Sequence, residues 1–181
     1  NLKSSMRNIG KSNDQLFCYF VLHTINEYDV FTNLKRKEIV TNALNYFIAE
    51  KDLRVFVWLL MSNTLHIIVK SENGKDIQAL MYEFKEYTSK RMNLLMDEKN
   101  DANSKTIQQF LMKGQLKELV LWEDVDELVK LSDGESIDKT IHDIHHIPVN
   151  EKIVESPEHY LFSSAGDFLG WNGFVDVDND I

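Results

Sequence analysis

The stretch MSNTLHIIV, Met61 to Val69, carries a hydroxyl at Thr64 and an imidazole at His66 inside an otherwise apolar run. On a strand, side chains alternate between faces, so Thr64, His66 and Ile68 share one face while Leu65, Ile67 and Val69 share the other. An imidazole in that setting is either a half-buried histidine hydrogen-bonded to a neighbour or a metal or phosphate contact, and the residue types alone leave both open. A threonine hydroxyl is a poor substitute for a second imidazole at a metal.

Three further groups have chemical potential. His142 and His146 are four apart in IHDIHHIP, with His145 adjacent and Asp138 and Asp143 close in sequence. On a helix that spacing stacks two imidazoles on one side, where they suit either a metal or a solvated face. The segment FKEYTSKRMN brings Lys85, Lys90 and Arg91 together with Tyr87. Those bases are either a phosphate-facing ridge or solvated surface, and Tyr87 is either packing or a base-stacking platform. Cys18, the one cysteine, lies in an apolar run, which excludes an intrachain disulfide and a cysteine-rich zinc site. Trp58, Trp122 and Trp171 look structural, Trp171 being the most exposed candidate.

The elements that must position these residues follow from periodicity. LFCYFVLHT, Leu16 to Thr24, has the density of a central strand, and a turn-rich stretch with Asn26, Asp29 and Asn33 follows. Val40, Ala43, Leu44, Phe47 and Ile48 mark a helix from Leu34 to about Lys51, with Asn33 as its N-cap. DLRVFVWLLM and TLHIIVK are two strands joined by Ser62 and Asn63, a hairpin. A helix from about Asp76 to Leu95 carries Ile77, Leu80, Met81, Phe84, Thr88 and Leu95 on one stripe.

DEKNDANSK is expected to be a loop and IQQFLMKG a short helix, while LKELVLWEDVDELVKL fits strand, helix or loop. SIDKTIHDIHHIP is expected to be a helix capped by Ser136 and stopped by Pro148. The order β-α-β-β-α, then a less regular segment and a further helix, implies an α+β fold. Its antiparallel sheet would have helices on one face, in a ferredoxin-like topology.

Bulk properties bound the answer. The chain has 181 residues, 43% of them hydrophobic, enough for one domain. The expected division is a polar lead-in over 1–15, one domain over 16–170 and an acidic tail over 171–181. The longest apolar run, Val55 to Met61, is too short to span a membrane, and the N-terminus has no signal-peptide core, so a cytoplasmic protein without membrane association is expected. A net charge of -9 argues against a surface devoted to nucleic acid unless charge is segregated. Acid concentrates in the last third and base around Lys35, Arg36, Lys37 and Lys85, Lys90, Arg91, so a nucleic-acid surface belongs in the first half.

With these residues in view, the chain resembles the single-tyrosine HUH transposases, in particular the REP-associated tyrosine transposase branch. MSNTLHIIV resembles that family's Met-Pro-Asn-His-x-His-Leu-Leu-Val hairpin. FCYFVLHTINEYDVFTN resembles its opening strand and turn, and FKEYTSKRMN its long basic helix. IHDIHHIPVNEKIVESPEHYLFSSAGDF resembles a closing signature of Tyr-Ile-His-Asn-Asn-Pro-Val followed by Pro-Glu-x-Tyr-x-x-Ser-Ser. The likeness runs from about Leu16 to Phe168 and is weakest between Asp97 and Glu135.

The resemblance implies an HUH or RRM-like fold and a mechanism. Two histidines at i and i+2 hold a divalent metal, Mg or Mn, which polarises a phosphate of single-stranded DNA, and a helical tyrosine attacks phosphorus to form a phosphotyrosine link. It also implies single-stranded or hairpin DNA as partner, with Lys85, Tyr87, Lys90 and Arg91 as DNA-contacting residues. Dimers occur in the broader group, so a homodimer is a further expectation.

The sequence departs from the pattern at the chemistry. Counting back from Pro148, the tyrosine position is Asp143, the first histidine of the metal pair is Thr64, and the polar position one turn beyond the tyrosine is Ile147. By the resemblance, His66 is the surviving half of the pair, so metal binding is expected to be weak or lost and strand transfer disabled. Two alternatives stand beside this DNA-binding reading: a metal-dependent nuclease using Asp143, His66 and Thr64, and a protein-interaction scaffold without catalysis.

Overall fold

Apolar strands with β-branched and aromatic residues pair into a sheet, and amphipathic helices cover it. A computed structural model describes residues 16–97, 104–113 and 118–181. The elements are β1 (Phe17–His23), α1 (Leu34–Glu50), β2 (Leu53–Leu60), β3 (Thr64–Ser71), α2 (Ile77–Asp97), α3 (Ser104–Leu111), β4 (Met112–Lys113), β5 (Glu118–Leu119), β6 (Glu127–Leu131) and α4 (Gly134–Asn150). The main sheet has four strands in the order β2-β3-β1-β6, all pairs antiparallel, and β4 and β5 form a small second sheet. With β6 as the fourth strand, this is the ferredoxin-like arrangement expected from the element order.

Both faces of the sheet are packed. Phe20, Leu22, Trp58, Leu60, Leu65, Ile67 and Val69 face α1 and α2, meeting Val40, Leu44, Phe47, Met81 and Phe84. On the opposite face Phe56, Val57, Leu59, Ile68 and Leu131 meet Ile137, Ile141 and Ile144 of α4. Helices on one face only is thus corrected: α4 uses an i, i+4, i+7 stripe of isoleucines to cover the second face. A register shift between Val55 and Val57 turns Phe56 and Val57 to the same side, which lets β2 feed that second core.

Asn33 caps α1 as expected, its side chain accepting from the Arg36 N–H. The boundaries of α4 differ from expectation. Its N-cap is Asp133, accepting from the Ser136 N–H, so the helix starts at Gly134 before Ser136. Pro148 lies inside the helix, which continues to Asn150. Proline lacks an N–H and clashes with the preceding turn, but the helix runs two residues further and closes through the Glu151 N–H to Ile147 O and Lys152 N–H to Val149 O bonds.

The ambiguous stretch 116–131 contains β5, an isolated bridge from Trp122 to Thr24, and β6 at the sheet edge. Long-range pairing with β1 decides it, which is why local pattern did not. The short helix expected from Ile107 begins earlier, at Ser104, and ends at Leu111, where β4 takes over. Most of the DEKNDANSK segment, and the lead-in over 1–15, lie outside the described residues.

The last residues of the chain lie on the protein. Val175 is buried in the α1/α2 core, the Asp178 N–H donates to Val55 O at 2.7 Å, and Arg54 pairs with the Asp178 carboxylate. Among the described residues no helix is long and apolar enough to cross a membrane.

Candidate functional site

Strand alternation and the β1–β3 register build one polar cluster on the α4 face. In that register His66 is opposite Val21 and His23 is opposite Thr64, while β6 sets Glu127 opposite Val21 on the other side of β1. Tyr19, His23, Thr64, His66 and Glu127 therefore all project from the same face. Tyr19, His23 and Glu127 were not singled out from the sequence. Period-two spacing in FCYFVLHT does put Tyr19 and His23 together, but only the register shows that they share the face of His66.

Tyr19 Oη is 2.8 Å from His66 Nδ1. Burial pushes the His66 imidazole down to about 4, with the neighbouring His23 acting in the same direction. Burial also pushes the Tyr19 phenol up to about 12, helped by the negative charges of Glu127 and Asp143. Both groups are consequently neutral at pH 7. His23 Nε2 lies 3.7 Å from Glu127 Oε1 at the open side of the cluster.

Asp143 projects from α4 close enough for its charge to act on Tyr19, which brings the tyrosine position of the resemblance beside the sheet histidine. Its carboxylate is exposed and is held by Lys139 one turn earlier, a bond that lowers its pKa below the usual carboxylate value. It thus supplies a fixed negative charge at the position where the resemblance implies a phenol nucleophile. The Thr64 hydroxyl donates to Asn63 Oδ1 at 3.1 Å, and Ile147 packs into the apolar core under α4.

The family's metal was tested against these donors. Thr64 is committed to Asn63, Ile147 offers no lone pair, and among the described residues no three His, Cys, Asp or Glu side chains converge as a metal cluster. The positions that the resemblance implies as ligands, Thr64, His66 and Ile147, do not fit a divalent ion as a set, and no chemical step is derived through one.

The basic helix lies on the other side of the sheet. Lys85 bonds to Asp126 at 2.8 Å, with its side chain only 11% exposed. Tyr87 stacks on Tyr46, their ring centroids 5.0 Å apart, and meets Phe47 edge-on. Lys90 is exposed and pairs with Glu86 at 3.6 Å, and Arg91 is exposed. These residues belong to α2, which packs on the α1 face, so the fold separates them from His66 by the thickness of the sheet.

The histidines of α4 divide into two roles. His145 is buried, with Nε2 2.9 Å from Ser164 Oγ, and Ser164 Oγ also accepts the Trp58 N–H at 3.1 Å. Burial pushes His145 down to about 4, with His146 and His142 adding to the shift. The SPEHYLFSSA segment thereby locks α4 to β2, a role for Ser164 that spacing alone does not show. His142 and His146 stack at 3.8 Å between ring centroids on the outer side of α4, and His146 Nδ1 donates to His142 O.

The comparisons with known proteins agree with this architecture. The profile of the family described as "Transposase IS200 like" matches residues 12–113. No curated protein matches the sequence. A REP-associated tyrosine transposase bound to a REP hairpin superposes with a TM-score of 0.65 at 12% identity, over 92% of this chain and 88% of that one. A Deinococcus radiodurans R1 protein assigned as a transposase gives a TM-score of 0.47 at 12% identity, over 79% of this chain and 97% of that one, too loose a likeness to build on. Trp122, Asp143 and Ser164 lie beyond the profile match, yet the ferredoxin-like sheet and its first two helices lie largely within it, and the chain belongs to the IS200-like transposase family.

Proposed function

We propose that this protein recognises single-stranded or hairpin DNA and does not carry out phosphotyrosine strand transfer. The observation that carries recognition is the likeness of the fold, over 92% of the chain, to a transposase bound to a REP hairpin. Lys90 and Arg91 on α2 are the exposed bases that support contact with phosphate. The absence of transfer rests on Asp143, a carboxylate where the family resemblance implies a tyrosine. A carboxylate at this point repels the phosphate that a nucleophile would have to approach, and Glu127 on the same face adds to the repulsion.

The test is binding of labelled single-stranded and hairpin DNA at low and moderate salt, with and without Mn2+, with His66→Ala alongside. Salt-sensitive binding that ignores metal and mutation, with no DNA-linked band on a denaturing gel, is the expected result. A stable covalent adduct overturns the reading. Nicking that needs metal and is lost in His66→Ala moves the assignment to hydrolysis involving Asp143 and Thr64. Absence of binding even at low salt leaves the scaffold role.

A further inference from the structure

Asn172 and Gly173 form an Asn-Gly pair in an exposed loop. In such a pair the side-chain amide closes readily on the next backbone nitrogen, because glycine puts no Cβ in the way. The Gly173 N–H donates to Asp167 Oδ1 at 2.8 Å. A Cβ built on Gly173 would stand 2.5 Å from Asp167 Oδ2 and 2.9 Å from Oδ1, so the carboxylate lies against bare backbone and only glycine fits. Asp167 Oδ2 is buried and has no hydrogen-bond partner among the described residues. A carboxylate with one oxygen unsatisfied and out of water is a stronger base than a solvated one, and burial accordingly pushes the Asp167 carboxyl up.

The loop around this contact is held on both sides. The Trp171 N–H donates to Gly166 O at 3.1 Å, the Gly170 N–H to Asp167 O at 2.9 Å, and the Phe174 carbonyl accepts from Asn45 Nδ2 at 2.9 Å. The Asn172 side chain, by contrast, makes no hydrogen bond among the described residues, so its amide can turn onto Gly173 N. A second Asn-Gly pair, Asn73 and Gly74, has the opposite setting. Asn73 Nδ2 is tied to Asp52 Oδ1 at 3.1 Å, and among the described residues no carboxylate accepts from the Gly74 N–H.

We propose that Asn172 is a self-modification site at which Asp167 is the general base for intramolecular deamidation. Asp167 Oδ1 takes the Gly173 amide proton and Gly173 N bonds to Asn172 Cγ. The Cγ–Nδ2 bond then breaks, and the departing nitrogen leaves as ammonia with the proton that Asp167 carried. The succinimide so formed is opened by water at either carbonyl, giving aspartate or isoaspartate. Base and reacting nitrogen are already at hydrogen-bond distance, which is the arrangement that speeds a proton-transfer step. The isoaspartate product puts an extra backbone methylene and a negative charge between Trp171 and Phe174, just ahead of the residues that seat the end of the chain on the core.

The test follows freshly purified full-length chain at neutral pH, folded and in urea. Peptide mass mapping reads deamidation at each asparagine, and an isoaspartyl methyltransferase scores isoaspartate. In the folded protein Asn172 is expected to react about tenfold or more faster than Asn73, and faster than Asn172 itself in urea, where the Asp167 contact is gone. Asp167→Asn keeps an acceptor oxygen but removes the base, and is expected to slow Asn172 about tenfold while leaving Asn73 unchanged. Circular dichroism and thermal melts establish that the variant is folded, and the comparison of folded with urea-treated wild type needs no variant. Asn172 reacting more slowly in the folded chain than in urea, or reacting undiminished in folded Asp167→Asn, overturns the proposal.

Discussion

Tyr19 Oη and His66 Nδ1 meet at 2.8 Å across β1 and β3, a half-buried polar pair on the sheet face that α4 covers. Tyr19→Phe keeps the ring and removes the hydroxyl, leaving a half-buried imidazole nitrogen without its partner. A loss of about 1–2 kcal/mol is expected in urea unfolding. In the intact protein two tyrosines, Tyr19 and Tyr160, are expected to ionise near pH 12 in an ultraviolet titration, and that late step is expected to fall to one tyrosine in Tyr19→Phe.

Two buried histidines predict how stability depends on pH. His66 and His145 are both pushed down to about 4 by burial. In the unfolded chain they take up protons from about pH 6.5. Between those values the unfolded state binds more protons, so stability is complete above the window and is lost as pH falls through it. Between pH 7 and pH 5 the expected loss is on the order of 2 kcal/mol for each residue. Urea unfolding at the two pH values measures it, and His66→Asn or His145→Asn should flatten the difference. An unchanged pH dependence in both variants would sink the account.

Ser164 holds two buried partners, the Trp58 N–H and His145 Nε2. Ser164→Ala leaves both without that oxygen, and a cost of about 2–3 kcal/mol is expected. Hydrogen exchange at the Trp58 amide should quicken more than exchange within α2, because the damage lies on the α4 face.

The bases of α2 are expected to separate under mutation. Lys85→Ala breaks a largely buried ion pair and leaves Asp126 behind, at a cost of about 1–2 kcal/mol. Arg91→Ala, at an exposed position, is expected to change stability by less than about 0.5 kcal/mol. Thermal melts of the two variants check this. A loss of DNA binding in Arg91→Ala can then be assigned to contact, whereas the same loss in Lys85→Ala has to be corrected for stability.

Ending the chain after Gly170 removes Val175 from the core, the Asp178 N–H to Val55 O bond and the Arg54 partner. The expected cost is roughly 2–3 kcal/mol, chiefly from the valine and the surface it covers. Arg54→Ala should reproduce only a small part of it. Urea midpoints of the two variants decide whether apolar burial or the ion pair holds the segment.

Local chemistry in the sequence determined a good part of this protein. Alternation in FCYFVLHT, RVFVWLL and TLHIIV set the three central strands, the stripe of Val40, Leu44 and Phe47 set α1, and Asn33 marked its start. Those signals are short-range, so they survive without a fold. The motif likeness around MSNTLHIIV and SPEHYLFSSA led to the family. Tertiary structure alone decided the rest: β6 forms because β1 offers an edge, α4 covers the second face because a bulge at Phe56 turns extra apolar area that way, and Pro148 is tolerated because packing outweighs its lost bond. The site followed the same division. His66 was legible by strand alternation and Asp143 only through the motif likeness, while Tyr19, His23 and Glu127 joined them through strand register, which pairs residues distant in the chain.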